Sequence, residues 1–250
     1  MHWREQNEIR WLEAELPGAT AAFSTRLGGL SDGPHRSLNL GVLTGDDRSL
    51  VLGNRRRLDA ALSIESGSVL VGCQVHGAAV HSHGRAQDPA PWLDPGAPRA
   101  DPPEVDGHAT AVPGLTALVL VADCLPIALS GRTGVAMIHG GWRGLAGGIV
   151  GAGAAAVGAT AAVIGPGIGP CCYEVGDEVL DAFAPLGRGL ADGRMLDLKA
   201  VATRLLERAG VEAVEDAGLC TSCDPELFFS HRGQGPDTGR QAGLVRMLGP

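Results

Sequence analysis

The sequence predicts an α+β fold in a single domain spanning residues 1–250, with mixed β-sheets layered against helices. Three observations lead there. Two uninterrupted apolar runs, 115–122 and 134–139, read as strands buried on both faces. One segment carries Leu198, Val201, Ala202, Leu205, Leu206 and Ala209 at helical spacing. Strands and helices also mix without the regular rhythm of βαβ units, which argues against a doubly wound parallel sheet.

Along the chain, Thr20-Ala21-Ala22-Phe23-Ser24 reads as a short strand followed by a glycine-rich loop over 27–41. Asp47 is placed to cap a helix carrying Leu50, Val51, Leu58, Ala61 and Leu62. Within that helix, Arg55-Arg56-Arg57 reads as a solvated face. Residues 68–76 alternate as a strand does and are expected to continue to 83 beyond Gly77, leaving His81 and His83 as surface histidines on one face. Six prolines over 87–103 predict an exposed loop. After the second apolar run, 142–158 fits a helix of small residues packed tightly on a sheet, and 161–164 returns as a strand. Asp197 caps the clearest helix and Gly210 ends it. Short strands near 211–214, 227–230 and 242–247 close the chain.

Composition bounds the function. With 28 acidic against 20 basic residues and a net charge of −8, the chain lacks the basic face of a general nucleic-acid binder. Small anionic substrates stay open, because a pocket for one needs only a few arginines. Residues 144–170 hold 27 positions without a charge, long enough to cross a bilayer. Their content is mostly glycine and alanine, interrupted by Pro166, so a buried helix and strand are expected and no membrane partner. Residues 1–6 show no apolar stretch of a signal peptide. A soluble, cytoplasmic protein follows, a monomer by default, its six cysteines reduced thiols.

Two clusters point to chemistry. Ala122-Asp123-Cys124-Leu125-Pro126 sets a thiol at the end of a buried strand. His139-Gly140-Gly141-Trp142-Arg143-Gly144 stands where a strand gives way to a helix. Its glycines allow close backbone approach, and the first helical amides with Arg143 make an anion site. With His76, which ends the 68–76 segment, Cys124 and His139 would supply two nitrogens and a sulfur and leave a fourth tetrahedral position for water, as at a catalytic zinc. A rival set competes for His76: Cys73 and His76 with Cys220 and Cys223 would make a structural zinc site. Adjacent Cys171 and Cys172 point to opposite sides of an extended chain and so are not expected to share an ion. Residues 165–170 serve as a rigid turn or line the pocket. Arg26 and Asn39 sit in glycine-rich loops, where an arginine can reach a phosphate.

Together these pieces resemble the YfiH-type laccase-domain family, catalogued as polyphenol oxidases, purine nucleoside phosphorylases or peptidoglycan editing factors. The resemblance rests on Phe23-Ser24-Thr25-Arg26, Ser37 to Gly41, Gln74-Val75-His76, Glu104-Val105-Asp106, the Asp123-Cys124 and His139 to Gly144 elements, Cys172 to Val175, Cys220-Thr221, Phe229 to Arg232 and Thr238 to Gln241. It covers about residues 20–246. It implies an α+β fold similar to that of deamidating bacterial toxins, with His76, Cys124 and His139 as the metal-binding catalytic centre, and that displaces the rival zinc set. The implied activity is phosphorolysis and deamination of adenosine- and inosine-type nucleosides, with zinc or else copper as cofactor, and nucleoside and phosphate as small-molecule partners. Arg143, Arg26 and Arg240 would then hold phosphate. Asp123 would orient a ligand or shuttle a proton, or else cap backbone amides, and Gln74 would support the metal or touch ribose. Alternatives are a thiol hydrolase of amides or peptidoglycan precursors, with Cys124 as nucleophile and His139 as base, and a copper polyphenol oxidase. The sequence departs from the family pattern at Gly140, where alanine is usual, at His231, where tyrosine is common, and at His108, where an aliphatic residue is common. The two histidines are expected to alter the pocket rim.

Overall fold

The computed structural model describes residues 1–65, 67–84, 92 and 103–249. In chain order the elements are β1 (His2–Gln6), β2 (Ile9–Leu16), β3 (Ala19–Ser24), α1 (Arg48–Leu62), β4 (Val69–Leu70), β5 (Val80–His83), β6 (Gly107–Thr110) and β7 (Thr116–Val121). Then come β8 (Leu125–Gly131), β9 (Gly134–Gly140), α2 (Trp142–Ala146), α3 (Ile149–Val157), β10 (Ala159–Ile164) and α4 (Asp177–Phe183). The rest are β11 (Ala191–Asp192), β12 (Met195–Leu196), α5 (Leu198–Arg208), β13 (Ala213–Asp216), α6 (His231–Gln234) and β14 (Gln241–Met247).

Alternation builds the sheets. Leu12, Ala14, Phe23, Val119, Val121 and Val245 send side chains from one six-stranded sheet, ordered β1-β2-β3-β14-β7-β4, toward a second. The second sheet, ordered β13-β10-β8-β9-β6-β5, answers with Ala128, Val135, Met137, Ala161 and Val163. Because successive strand residues face opposite ways, the same strands also present Leu118, Leu244 and Ala242 outward to α1, and Ile127, Leu129 and Ile138 outward to α3, α4 and α5. Four layers result, helix–sheet–sheet–helix, which explains why 115–122 and 134–139 read as continuous apolar runs. Each fully buried Ile, Leu or Val there contributes about 1.5–3 kcal/mol. Both sheets are mixed, with parallel β4–β7, β5–β6 and β10–β13 pairs among antiparallel neighbours, as an α+β fold requires.

Caps set the helix ends as the sequence indicates. The Asp47 carboxylate accepts from the Ser49 amide, and that of Asp197 from the amides of Lys199 and Ala200. Several expectations are corrected. The single helix over 142–158 is two, α2 and α3, because Gly148 adopts φ 95° between them. The strand over 68–83 is interrupted: β4 joins the first sheet and β5 the second. Residues 227–230 form no strand, since Phe229 is held instead by the Gln241 side chain at both its N–H and its C=O. Arg55 is buried rather than solvated, and only Arg56 of the three is fully exposed. His83 is also buried, within 3.0 Å of His108 Nδ1, so neither histidine lies at the surface or on a pocket rim.

The proline-rich loop lies outside the described residues except for Trp92 and Pro103. Trp92 is buried against α1, where its indole N–H donates to Asp59, so at that position the expectation of exposure fails. No helix among the described residues is long and apolar enough to cross a membrane; 144–170 folds into parts of α2, α3 and β10.

Candidate active site

Two connections carry the chain from the first sheet to the second, and each delivers a reactive group. The β4–β5 connection brings His76, and the short β7–β8 connection brings Asp123 and Cys124; His139 arrives near the end of β9. Both connections turn through left-handed backbone at non-glycine positions, φ 58° at His76 and 88° at Asp123. Such a conformation costs roughly 1–2 kcal/mol and persists only where neighbours impose it.

Asp106, just before β6, imposes the first. Its fully buried carboxylate accepts from the backbone N–H groups of Val75 (3.1 Å), His76 (3.0 Å) and Gly77 (2.7 Å). The same carboxylate lies 2.7 Å from His139 Nδ1. One side chain therefore shapes the His76 turn and directs the proton of His139 to Nδ1, leaving Nε2 for the Cys124 thiol. Burial raises the pKa of Asp106, but the hydrogen bonds from His139 and the amides leave it below the usual carboxylate range.

The donor atoms of His76, Cys124 and His139 lie within 4.8 Å of one another, and the two imidazoles meet edge-on with centroids 4.9 Å apart. Two nitrogens and a sulfur so spaced suit one ion of the zinc type with a fourth position open. Gly141 makes room: a Cβ there would stand 3.1 Å from His76 Cδ2 and 3.2 Å from Cys124 Sγ. Gly141→Ala is expected to keep the far-UV circular dichroism and lower metal loading and turnover about tenfold or more, since crowding a packed site costs about 1–3 kcal/mol. Unchanged turnover would show that the space beside the thiol is unused.

Electrostatics favour a thiolate. Burial pushes the Cys124 thiol up, but the neighbouring His139 and His76 imidazoles outweigh it and bring the pKa down to about 6. Burial likewise pulls His139 down, while Cys124 and Asp106 push it up to about 9. In the metal-free protein a thiolate–imidazolium pair is thus expected between those values, with the thiolate protonated as pH falls through about 6. Thiolate absorbance near 240 nm, taken as wild type minus Cys124→Ser, should rise through about pH 6; a rise near the ordinary cysteine value of about 8.5 would refute the coupling.

The remaining sequence-indicated residues divide. Asp123 accepts from Thr221 Oγ1 (2.6 Å) and from the Arg232 amide (2.7 Å), so both its oxygens hold the loops around the thiol. Gln74 pairs with both backbone groups of Leu120 at 2.8 Å, standing in for a strand neighbour of β7. Asn39 is fully buried; its Oδ1 accepts from the amides of Gly41 and Arg240, and its amide donates to Thr44 and Asp46. Arg26 donates to the carbonyls of Arg36 and Pro225 and stacks on Phe229. Arg240 is half-buried, donates to the carbonyls of Thr238 and Gly239, and feels the charges of Cys124 and Asp123. Arg143 is exposed, lies over the Trp142 ring, and has no hydrogen bond or ion pair with the described residues.

The sequence carries no signal of the role of Asp106: nothing local distinguishes it from any aspartate opening a strand. Nor does it mark Arg232. Its guanidinium lies over Tyr173, and that tyrosine feels the charges of Cys124, Asp123 and Arg143 as well. The rival zinc set is not assembled: His76 joins Cys124 and His139, while Cys220 and Cys223 gather with Cys171 and Cys172. The last two are not splayed, because residues 170–172 form a turn, with the Cys172 amide bonded to the Gly169 carbonyl.

Known proteins resemble the chain in both sequence and fold. Residues 20–248 match the family described as multi-copper polyphenol oxidoreductase laccase. The chain is 36% identical to the purine nucleoside phosphorylase YlmD of Geobacillus stearothermophilus, over 96% of each chain. It is 35% identical to the purine nucleoside phosphorylase YfiH of Shigella flexneri, over 92% of this chain and 95% of that one. The crystal structure of the Geobacillus YlmD superposes with a TM-score of 0.89 over 99% of both chains at 34% identity.

Proposed function

The chain belongs to the multi-copper polyphenol oxidoreductase laccase family, and from that premise we infer that it is a zinc-dependent purine nucleoside enzyme, cleaving adenosine and inosine with phosphate and deaminating adenosine. The assembly of His76, Cys124 and His139 around one open position carries this reading. Its relatives' name, purine nucleoside phosphorylase, supports the substrate class. The enzyme acts as a cytoplasmic monomer on small molecules, with neither a nucleic-acid nor a membrane partner.

His76, Cys124 and His139 would hold the zinc, which when bound would supply Lewis acidity and acidify a water toward neutral pH. The chain's own residues do the rest. Asp106 fixes the tautomer and aim of His139 and the turn that presents His76. Arg143, with no hydrogen bond or ion pair of its own among the described residues, meets phosphate first; Arg240, which feels the charges of Cys124 and Asp123, adds positive charge. Phosphate held there attacks ribose C1′ and the purine leaves with its bonding electrons. In deamination, water replaces ammonia at purine C6. Asp123, bonded to Thr221 and Arg232, keeps Cys124 in place rather than moving a proton. Gln74 and Asn39 position the loops, and Arg26 supports the wall they form.

Adenosine and phosphate incubated with the chain should yield adenine and ribose 1-phosphate, together with inosine, and Cys124→Ala should yield none of them. Intact adenosine with the zinc-loaded protein would overturn the reading.

One observation favours a second reading. Cys124, His139 and Asp106 line up as nucleophile, base and orienting carboxylate, as a thiol hydrolase of amides or peptidoglycan precursors requires. Chelation separates the two, since activity lost with metal and restored by zinc eliminates a metal-free thiol mechanism. Copper polyphenol oxidation ranks third: the described residues offer one mixed imidazole–thiol cluster and one all-thiol cluster, whereas several copper sites call for more imidazoles.

A further inference from the structure

Away from the His76–Cys124–His139 centre, four cysteines converge from two loops. Cys171 and Cys172 come from the turn that follows β10, and Cys220 and Cys223 from the loop after β13. Their sulfur atoms all lie within 4.8 Å of one another, with Cys223 Sγ 3.3 Å from Cys171 Sγ and 3.4 Å from Cys172 Sγ. A tetrahedral zinc with four thiolates at about 2.3 Å requires sulfurs about 3.8 Å apart, which these spacings bracket. We propose that Cys171, Cys172, Cys220 and Cys223 form a second metal site, a structural four-thiolate zinc centre distinct from the catalytic one.

The backbone is built for it. Gly167 and Cys220 form a parallel bridge that ties the two loops side by side, reinforced by the Thr221 amide on the Gly167 carbonyl. The Gly169 amide points at Cys220 Sγ from 3.2 Å, the kind of N–H···S contact that stabilises a thiolate ligand. A side chain at Gly169 would crowd the cluster, since a Cβ would lie 3.2 Å from Cys220 Cβ and 3.3 Å from Cys171 Sγ. Two of the four thiols are exposed and two half-buried, so the cluster is not a hydrophobic core feature. Four donors fill a zinc coordination sphere and leave no position for substrate, which makes the role structural. That role reaches the catalytic centre: Thr221, next to Cys220, holds Asp123, and the Ile168 amide holds the Asp123 carbonyl. The centre would clamp the two loops that fix Cys124's neighbour.

The test uses the full chain. In Cys124→Ala, which removes a donor from the catalytic site, zinc after dialysis against a weak chelator should remain at about one ion per chain. Adding Cys220→Ser and Cys223→Ser to that variant should abolish it. Cobalt titrated into Cys124→Ala should give the intense thiolate-to-metal absorption of a tetrathiolate site, saturating at about one equivalent. Zinc should then protect four of the five remaining cysteines from iodoacetamide. These readouts are independent of nucleoside turnover, so they stand or fall apart from the proposed activity. Three results would overturn the proposal: no zinc in Cys124→Ala, no thiolate band with cobalt, or a mass two hydrogens light under non-reducing conditions, which would make the cluster a disulfide pair.

Discussion

Asp106→Asn is expected to lower adenosine turnover and zinc affinity by about 10–100-fold while leaving the fold intact. Four N–H donors converge on this carboxylate, three from the His76 turn and one from His139. An asparagine of the same shape keeps one accepting oxygen and turns an NH₂ group on the others. Either the turn loses its acceptors or His139 is driven to the tautomer that protonates Nε2, the atom the proposed metal would need. Each buried donor left unsatisfied costs about 1–3 kcal/mol, enough to shift His76 but not to unfold a chain with buried apolar clusters between the sheets and on both their outer faces. Steady-state turnover and zinc content measured side by side decide it. Turnover within twofold of wild type would mean that His76 and His139 need no common anchor.

Trp92→Ala is expected to lower the free energy of unfolding by about 3–5 kcal/mol, the cost of deleting a large buried aromatic. The indole packs in the cluster with Leu58, Leu62 and Trp11 beneath the first sheet and donates to Asp59. Arg55 lies 4.3 Å over the ring and donates to the Trp92 carbonyl. Burial raises Asp59 to about 6 against the opposing pull of Trp92 and Arg55, and burial lowers Arg55 to about 10 despite Asp59. Truncating the ring therefore opens a cavity and weakens the setting of a buried charged pair. Trp92→Phe, which keeps most of the apolar area and loses the indole donor, should cost less than half as much. Urea unfolding at fixed pH measures both variants. A loss under about 1 kcal/mol for the alanine variant would show that Trp92 adds nothing to the core.

The comparison of sequence with structure divides along physical lines. Strands β7 and β9 were legible because burial on both faces leaves an unbroken apolar run, and α1 and α5 because one buried stripe and an aspartate cap coincide. Strand β1 was not: His2-Trp3-Arg4-Glu5-Gln6 is exposed throughout and is held at the sheet edge by pairing with β2. Strand β8 was hidden by Pro126, which is tolerated although β9 and β10 flank it. The over-extended strand at 68–83 shows the opposite error, since alternation persists through a crossover whose turn is fixed by Asp106, thirty residues on from His76. At the site, the Asp-Cys and His-Gly-Gly elements were conspicuous because a thiol and an imidazole sat at strand ends. Asp106 and the partnership of Cys171 with Cys223 are long-range facts, invisible to any local window. The burial of Arg55 belongs with them, for the ring that covers it lies 37 residues away.

The routing of the chain between the sheets carries one more consequence. His76 and Cys124 ride on separate crossovers, while His139 belongs to the second sheet itself, so the triangle they form is a gauge of how the two sheets are seated. The seating itself is locked by the packed side chains of Val119, Met137 and Val163 between the sheets. The site is then a fixed frame, with the exposed Arg143 and α6 lying outside the sheets. On the nucleoside activity proposed above, substitutions deep between the layers should then register in turnover before they register in melting temperature.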